Sequence, residues 1–297
     1  MKKLSVAIVA YNEEKHLTDC LKSVDWAAEI IVVEGKSQDK TAEIAKNAGA
    51  KVYSVENQPL MKKMMNQAFS KCTSEWILQL DADERVSEQL KNEILQTISI
   101  NPAHAAFQIP RKNLMFGKWI EHSGWYPDFQ TRLFRNGKGK YLAKNVHEEL
   151  EVQGSVGNLD NPIMHLNWES VSQFILRLDS YTSYEAGKWI TDGKKIVWTD
   201  AIRFPFSEFL SRFFDRQAYK DGLHGLVLSI LMAMYWELVF VKIWEKEGFW
   251  PHGDKNFIWE VANQAPDIKR QWNHWLMTDE QNPIVKSLRK VKNRLSL

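Results

Sequence analysis

The first eighty residues alternate short β-favouring runs with helix-like segments, and this alternation restricts the fold more than any other feature of the chain. Lys3-Leu4-Ser5-Val6-Ala7-Ile8-Val9-Ala10 reads as a strand, and His16, Leu17, Cys20, Leu21 and Val24 then fall at helical spacing. Ile30-Ile31-Val32-Val33 reads as a second strand, residues 41–48 as a helix and residues 51–55 as a third strand. A helix over residues 61–71 precedes the buried strand Trp76-Ile77-Leu78-Gln79-Leu80. Strands separated by helices pair in parallel through right-handed crossovers, with helices covering the sheet. The predicted class is therefore α/β with a mostly parallel, Rossmann-like sheet. Ligands of such sheets bind beyond the carboxyl ends of the strands. The polar turns carrying Tyr11, Glu34, Asp39 and Asp81/Asp83 are thus expected to converge on one edge.

Asp81-Ala82-Asp83-Glu84 follows the last of these strands directly. Two Asp side chains one residue apart repel each other unless a hard cation such as Mg²⁺ or Mn²⁺ lies between them and a substrate phosphate. A solvated turn cap gives the same local pattern. The cation reading gains its weight from the other polar turns gathered on the same edge.

Other readings follow from charge and patterning. A net charge of +2 over 297 residues gives no argument for nucleic acid, and no basic-aromatic binding pattern accompanies it. Cys20 and Cys72 lack metal-ligand spacing and are expected as reduced thiols, which fits a cytosolic location. The amino-terminal apolar run meets Tyr11-Asn12-Glu13 too soon for a signal peptide. Residues 113–124 read as a loop whose Trp119 and His122, with Trp125 next to it, serve either to stack on sugar rings or to cover the sheet. Arg132-Leu133-Phe134-Arg135 followed by Asn136-Gly137 suggests a strand and hairpin turn. The run 225–241 is nearly long enough to span a bilayer, but Glu237 and Lys242 argue for a packed or surface-lying helix. Val285, Leu288, Val291 and Leu295, set among Lys286, Arg289, Lys290, Lys292 and Arg294, suit an anionic membrane surface or a solvated tail.

The motifs together resemble family 2 glycosyltransferases with a GT-A nucleotide-sugar-binding fold. The resemblance rests on Val6-Ala7-Ile8-Val9-Ala10-Tyr11-Asn12-Glu13-Glu14, the Glu34…Ser37-x-Asp39-x-Thr41 turn, Asn66 followed by Ala68, and Trp76…Leu80-Asp81-Ala82-Asp83-Glu84. Gly124-Trp125-Tyr126-Pro127-Asp128…Arg132-Leu133-Phe134-Arg135 and Val146-His147-Glu148 resemble the bacterial subgroup of lipopolysaccharide-core glucosyltransferases. One departure stands out: Glu34 replaces the family's usual Asp, and Lys36 stands where Gly or Ser is usual.

The resemblance implies a GT-A domain over residues 1–165, with nucleotide-sugar binding in 1–100 and the acceptor part in 101–165. Residues 166–297 would form a helical, acceptor- and membrane-associated extension. It implies nucleotide-sugar contacts from Ala10, Tyr11, Glu13, Glu34, Asp39, Lys63, Asn66, Asp81, Ala82 and Arg132, and Mn²⁺ or Mg²⁺ at Asp83, Asp81 and His147. Sugar transfer from a nucleotide donor needs a cation on the diphosphate and a carboxylate base for the acceptor hydroxyl. Asp128 is the first choice for that base and Glu148 its competitor. Lys62 is a second phosphate candidate beside Lys63. Arg132 and Arg135 either hold diphosphate oxygens or pair with the acids. The implied activity is inverting transfer of a hexose, glucose first, from a UDP-sugar to a lipid-linked or lipopolysaccharide-core glycan at the inner membrane. Nucleotidyl transfer and a catalytically silent membrane-bound scaffold are the alternatives. Against the first, Val9-Ala10-Tyr11-Asn12 stands where a glycine-rich phosphate loop would lie.

Overall fold

The computed structural model describes residues 3–58, 61–143, 148–253, 255–278 and 287. It divides into two compact units: residues 1–115 with 126–167, and residues 116–125 with 168–297. This differs from a single cut at residue 165, because the short segment 116–125 leaves the first unit to join the second. The carboxyl-terminal amphipathic segment read from the sequence lies outside the described residues, apart from Ser287.

The first unit opens with β1 (Leu4–Ala10), α1 (Leu17–Lys22), β2 (Glu29–Glu34), α2 (Thr41–Asn47), β3 (Lys51–Ser54), α3 (Met61–Lys71) and β4 (Trp76–Asp81). β5 (Glu84–Arg85), α4 (Glu88–Ser99) and β6 (Ala106–Met115) follow, then β7 (Lys118–Trp119) within the excursion, and β8 (Asp128–Arg135). β9 (Gly139–Lys140), β10 (Glu151–Val152), β11 (Val156–Asn158) and β12 (Ile163–Trp168) complete the strands. The main sheet runs β3-β2-β1-β4-β8-β6-β12-β5. β3, β2, β1 and β4 are parallel, whereas β4–β8, β8–β6 and β12–β5 are antiparallel.

Alternation along the parallel strands builds a core on each face. Leu4, Val6, Ile8 and Ala10 of β1 pack with Leu17, Cys20 and Leu21 of α1, Ala45 of α2, and Leu90, Ile94 and Ile98 of α4. Ala7 and Val9 point the other way, toward Met64, Met65, Ala68 and Phe69 of α3. Burying one such Leu, Ile or Met side chain stabilises the fold by about 1.5–3 kcal/mol. α4 starts on Ser87, whose side chain accepts from Leu90 N, and gives way just before Asn101-Pro102.

The antiparallel half departs from the expectations in two places. β6 runs to Met115, so Asn113 lies in a strand and not in a loop. After Arg135 the Asn136-Gly137 turn does not return as a hairpin on β8. β9 pairs instead with β10 in a separate two-stranded sheet.

The second unit is mainly helical: α5 (Val171–Thr191), α6 (Asp200–Leu210), a π turn over Ser211–Asp215, a 3₁₀ turn over Ala218–Asp221, α7 (Leu223–Lys246), α8 (Phe257–Ala262) and α9 (Ala265–Thr278). Residues 116–125 are bonded into it. Asp221 accepts from the backbone N–H groups of Glu121 and His122, Lys118 Nζ donates to the Asp221 carbonyl, and Arg212 donates to the Ser123 carbonyl while lying over the Trp125 ring. Trp125 meets Trp168 edge-on. His122 and Trp125 are thus tied to residues of the helical unit. Among the described residues α7 is the one helix long and apolar enough to cross a membrane by length and composition, with a mean hydropathy of 1.9 and a third of that stretch buried. It contacts α5 and α6 and exposes Leu223, Val227, Ile230 and Met234 along a single stripe.

Candidate active site

The register of the parallel strands brings the polar turns together. Ala10 lies opposite Glu34, and Val9 lies opposite Asp81, so the carboxyl ends of β1, β2 and β4 are neighbours. Side chains stitch the first two turns together: Asn12 N–H donates to Ser37 Oγ, Glu13 N–H to Thr41 Oγ1, Glu14 N–H to Asp39 Oδ2, and Gln38 N–H to Asn12 Oδ1. Lys36 takes a left-handed φ of 55° there, a conformation that costs glycine nothing. A Cβ on Gly35 would come within 3.2 Å of the half-exposed Tyr11 ring.

Glu34 and Asp39 are engaged inside these turns. Glu34 is buried and accepts from Ser37 N–H and, on its other oxygen, from Ser54 Oγ. Burial pushes its carboxyl up, but the Ser37, Ser54 and Lys36 donors outweigh that and hold it below the usual range. Asp39 accepts from Thr41 N–H and Oγ1 and from Glu14 N–H. Both carboxylates shape the rim, and the groups left to face a base are those of the turn itself. Glu13 pairs with His16, Ala10 and Ala82 are buried backbone positions, and Lys63 is exposed on α3. Lys62, its neighbour, is the lysine that faces inward. Asn66 is tied to the backbone of Tyr141 through both ends of its amide, at 2.8 and 3.0 Å.

Beside this rim lies a cavity of about 300 Å³ lined by Lys62, Asp81, Arg111, Arg132, Tyr141 and Glu148, among others. Arg132, 4% exposed, donates from Nη2 to Asp81 Oδ2 at 2.6 Å and to Glu84 Oε1 at 2.7 Å. Glu84 is fully buried and also accepts from Asp81 N–H. Burial raises the Asp81 carboxyl, yet the Arg132 guanidinium, with Lys62 and Arg111 behind it, holds it well below the carboxylate range. Burial dominates at Glu84 and pushes its carboxyl up despite Arg132. Arg135 plays no part here: it bonds Glu75, Asn101 and the carbonyls of Pro102 and His104. The period of two along β8 sends residues 132 and 135 to opposite faces.

Asp128, at the amino end of β8, lies directly opposite Arg111 of β6. Arg111 donates to Asp128 Oδ2 from Nε at 2.8 Å and from Nη2 at 2.5 Å, Asn113 Nδ2 reaches that oxygen at 3.3 Å, and Gln130 donates to Oδ1 at 2.9 Å. Burial raises the Asp128 carboxyl, but Arg111 and the two amides outweigh it and keep the group ionised. Glu148 lines the cavity and accepts from Ala143 N–H. His147 lies outside the described residues.

His165 of β12 is the functional candidate that sequence reasoning missed. It sits opposite Glu84 in the β12–β5 pairing. Its Nε2 lies 3.6 Å from Asp83 Oδ2, and its Nδ1 lies 2.7 Å from Asn113 Oδ1. A carboxylate and an imidazole nitrogen facing each other form a fitting pair of donors for a divalent cation. Among the described residues no three His, Cys, Asp or Glu side chains converge as a closed cage. Mg²⁺ at enzyme sites is held by one or two carboxylates, with substrate phosphates and waters completing its shell.

An α/β sheet that gathers acidic and basic side chains beyond the carboxyl ends of its strands has the arrangement of a ligand-binding domain. Residues 5–149 match the family described as glycosyl transferase family 2. That stretch is a family 2 glycosyltransferase domain. It is 26% identical over 249 residues to the lipopolysaccharide core biosynthesis glycosyltransferase LpsC of Rhizobium meliloti, covering 82% of this chain and 92% of the relative. It is 29% identical to an uncharacterized glycosyltransferase of Rickettsia typhi, over 78% of this chain and 84% of that one. Among solved structures, S. aureus TarS residues 1–349 in complex with UDP aligns at 16% identity and a TM-score of 0.45, over 85% of this chain and 94% of that one.

Proposed function

We propose that this glycosyltransferase moves a hexose, glucose first, from a UDP-sugar to a lipid-linked or lipopolysaccharide-core glycan by inverting displacement at the cytoplasmic face of the inner membrane. The observation that carries the reading is the juxtaposition of Asp81 and Asp83 at the end of β4 with His165 and with the Arg111–Asp128 pair. The stitched turns around Tyr11 and Ser37 form the pocket for the base, with Glu34 acting through the turn it holds. Lys62 faces the diphosphate. Arg132 holds Asp81 in place, and Asp83 with His165 holds Mn²⁺ or Mg²⁺. When bound, the cation takes up charge on the departing diphosphate.

Asp128 accepts the proton of the acceptor hydroxyl. A carboxylate has about four acceptor sites. Oδ2 is taken by Arg111 and Asn113, whereas Oδ1 receives only Gln130 among the described residues and keeps a lone pair for the hydroxyl. Glu148, in the cavity, is the competing base. The relationship to LpsC and the exposed stripe on α7 support a membrane-borne glycan as acceptor.

The test measures UDP release and thermal shift with UDP-glucose, with and without Mn²⁺. A ligand that binds only the folded state raises the melting temperature. Metal-dependent UDP release is expected, and Asp83→Asn is expected to lose the metal-dependent part of the shift. A variant that shifts like the parent overturns the cation site. Pyrophosphate release in place of UDP overturns sugar transfer.

A further inference from the structure

We infer that Asn113 is a positioning residue whose side-chain amide joins the cation ligands to the base; the inference rests on the roles proposed above for Asp83 and Asp128. The argument is one of donors and acceptors. Ionised Asp128 has no proton to give, so the Asn113 atom 3.3 Å from its Oδ2 is the amide nitrogen. The other end of the amide is then the oxygen, an acceptor, and the His165 Nδ1 that lies 2.7 Å from it carries the proton. In neutral imidazole the proton on Nδ1 leaves Nε2 with a lone pair, and that lone pair faces Asp83 Oδ2 across 3.6 Å. Two acceptors face each other stably only with a proton or a cation between them, and 3.6 Å is long for a direct hydrogen bond. Asn113 thus presents the imidazole in its metal-binding tautomer.

The same amide acts on Asp128. With Arg111 it occupies Oδ2, which leaves Oδ1 as the oxygen open to the acceptor hydroxyl. Asn113 is fully buried, so water does not stand in for either contact. No local sequence pattern marks this residue, because it lies near the carboxyl end of β6 with its two partners 15 and 52 residues away.

The experiment uses the full chain, with Mn²⁺ binding in the presence of UDP followed by the EPR signal of free Mn²⁺, and turnover of UDP-glucose at saturating Mn²⁺. Asn113→Ala loses both contacts. Its Mn²⁺ affinity is expected to fall about 10- to 100-fold, the usual effect of losing an outer-shell partner, and its turnover is expected to fall as well. Asn113→Asp keeps an acceptor for His165 Nδ1 but loses the donor to Asp128. Its Mn²⁺ affinity is expected to stay close to the parent's while turnover still falls, a split that a mere packing role does not produce. Equal Mn²⁺ binding by Asn113→Ala and the parent overturns the inference, as does equal loss of affinity in the two variants. Should Asn113→Asp not fold, His165→Ala replaces it: it is expected to match Asn113→Ala in Mn²⁺ affinity and to keep more turnover. Failure of either comparison overturns the link. A parent that binds no Mn²⁺ with UDP overturns the proposed cation site too, and is distinguished because the parent itself fails.

Discussion

Replacing Arg132 by Met removes the one guanidinium that touches both Asp81 and Glu84, and the structure sets the size of the effect. The two carboxylates do not suffer equally. The Asp81 side chain is 42% exposed, so water takes over much of its stabilisation, whereas the Glu84 side chain is wholly buried. Breaking a buried pair from one side costs about 3–5 kcal/mol, because the remaining charge is left with only the looser Arg111 contact, Nη1 lying 3.8 Å from Glu84 Oε1. At roughly 2–4 °C per kcal/mol for a unit of this size, Arg132→Met is expected to melt about 6–20 °C below the parent. Calorimetry or urea unfolding at neutral pH measures this. Adding Glu84→Gln in the Arg132→Met background removes the stranded charge and keeps an acceptor for Asp81 N–H. About 1–3 kcal/mol is expected to return. The pH dependence supplies a second check. Glu84 already has a raised carboxyl, and without Arg132 it rises further. A folded acid with a raised pKa contributes stability that is lost as pH climbs through that value. The deficit of Arg132→Met relative to the parent is therefore expected to be smaller at about pH 5 than at about pH 8. A variant that melts with the parent, or a double variant with no recovery, refutes the assignment of Glu84 as a buried charge dependent on Arg132.

Two further outcomes concern parts of the fold that support the site. Burial raises the Glu29 carboxyl, but Ser5, Lys51 and Thr73 donors outweigh it and hold the group at about 2 against an ordinary 4.5; its stabilisation is present above 4.5 and lost as pH falls toward 2. With Lys51 exposed and screened, the effect is about 1–2 kcal/mol, so Glu29→Gln is expected to lose stability at neutral pH and flatten the acid limb, measured by urea midpoints across that range. In the helical unit a Cβ on Gly225 would lie 1.8 Å from the Ala218 carbonyl oxygen, a backbone atom that cannot rotate away. Gly225→Ala is expected to destabilise by at least about 2 kcal/mol, while Gly187→Ala, with open space around it in α5, stabilises by roughly 0.5–1 kcal/mol; matching unfolding midpoints for the two variants would refute the close approach of α7 to that turn.

The parallel half of the sheet was legible because each of its steps is local. A β-favouring run, a polar turn and a helical period follow one another within about thirty residues, and chirality does the rest. The helix over Met61–Lys71 and the strand ending at Asp81 follow from such signals. The antiparallel half offers no such guide. β4, β8, β6 and β12 become neighbours although they begin at residues 76, 128, 106 and 163, and no periodicity announces that order. Asn113 and His165 gain their meaning only from that pairing. A bulge at Arg132, which leaves Leu133 opposite Phe107 and Thr131 opposite Gln108, also breaks the alternation along β8, so parity alone does not reveal the neighbours of Asp128. The aromatic segment 116–125 was open to more than one reading because Trp119, His122 and Trp125 look the same in sequence whether they face sugar, sheet or a neighbouring helix. Only the bonds to Asp221 and Arg212 decide it.

Charge balance around β4 gives the strongest physical reason for a cation at Asp83. Glu84 and Asp81 share Arg132, and Asp128 has Arg111, so each of these acids meets a guanidinium within hydrogen-bond reach. Among the described residues Asp83 meets no guanidinium or ammonium within 4 Å and has only the His165 ring as a polar side-chain neighbour. A protein that needed Asp83 only as a turn cap could have left it in open water, yet its side chain is 16% exposed. A mostly buried carboxylate 3.6 Å from an imidazole nitrogen, with no guanidinium or ammonium beside it, is a place where added positive charge is favourable. The arginines of the site are already committed, so under the function proposed above that charge would come with the substrate, as a divalent ion carried on the donor's diphosphate and held by Asp83 and His165.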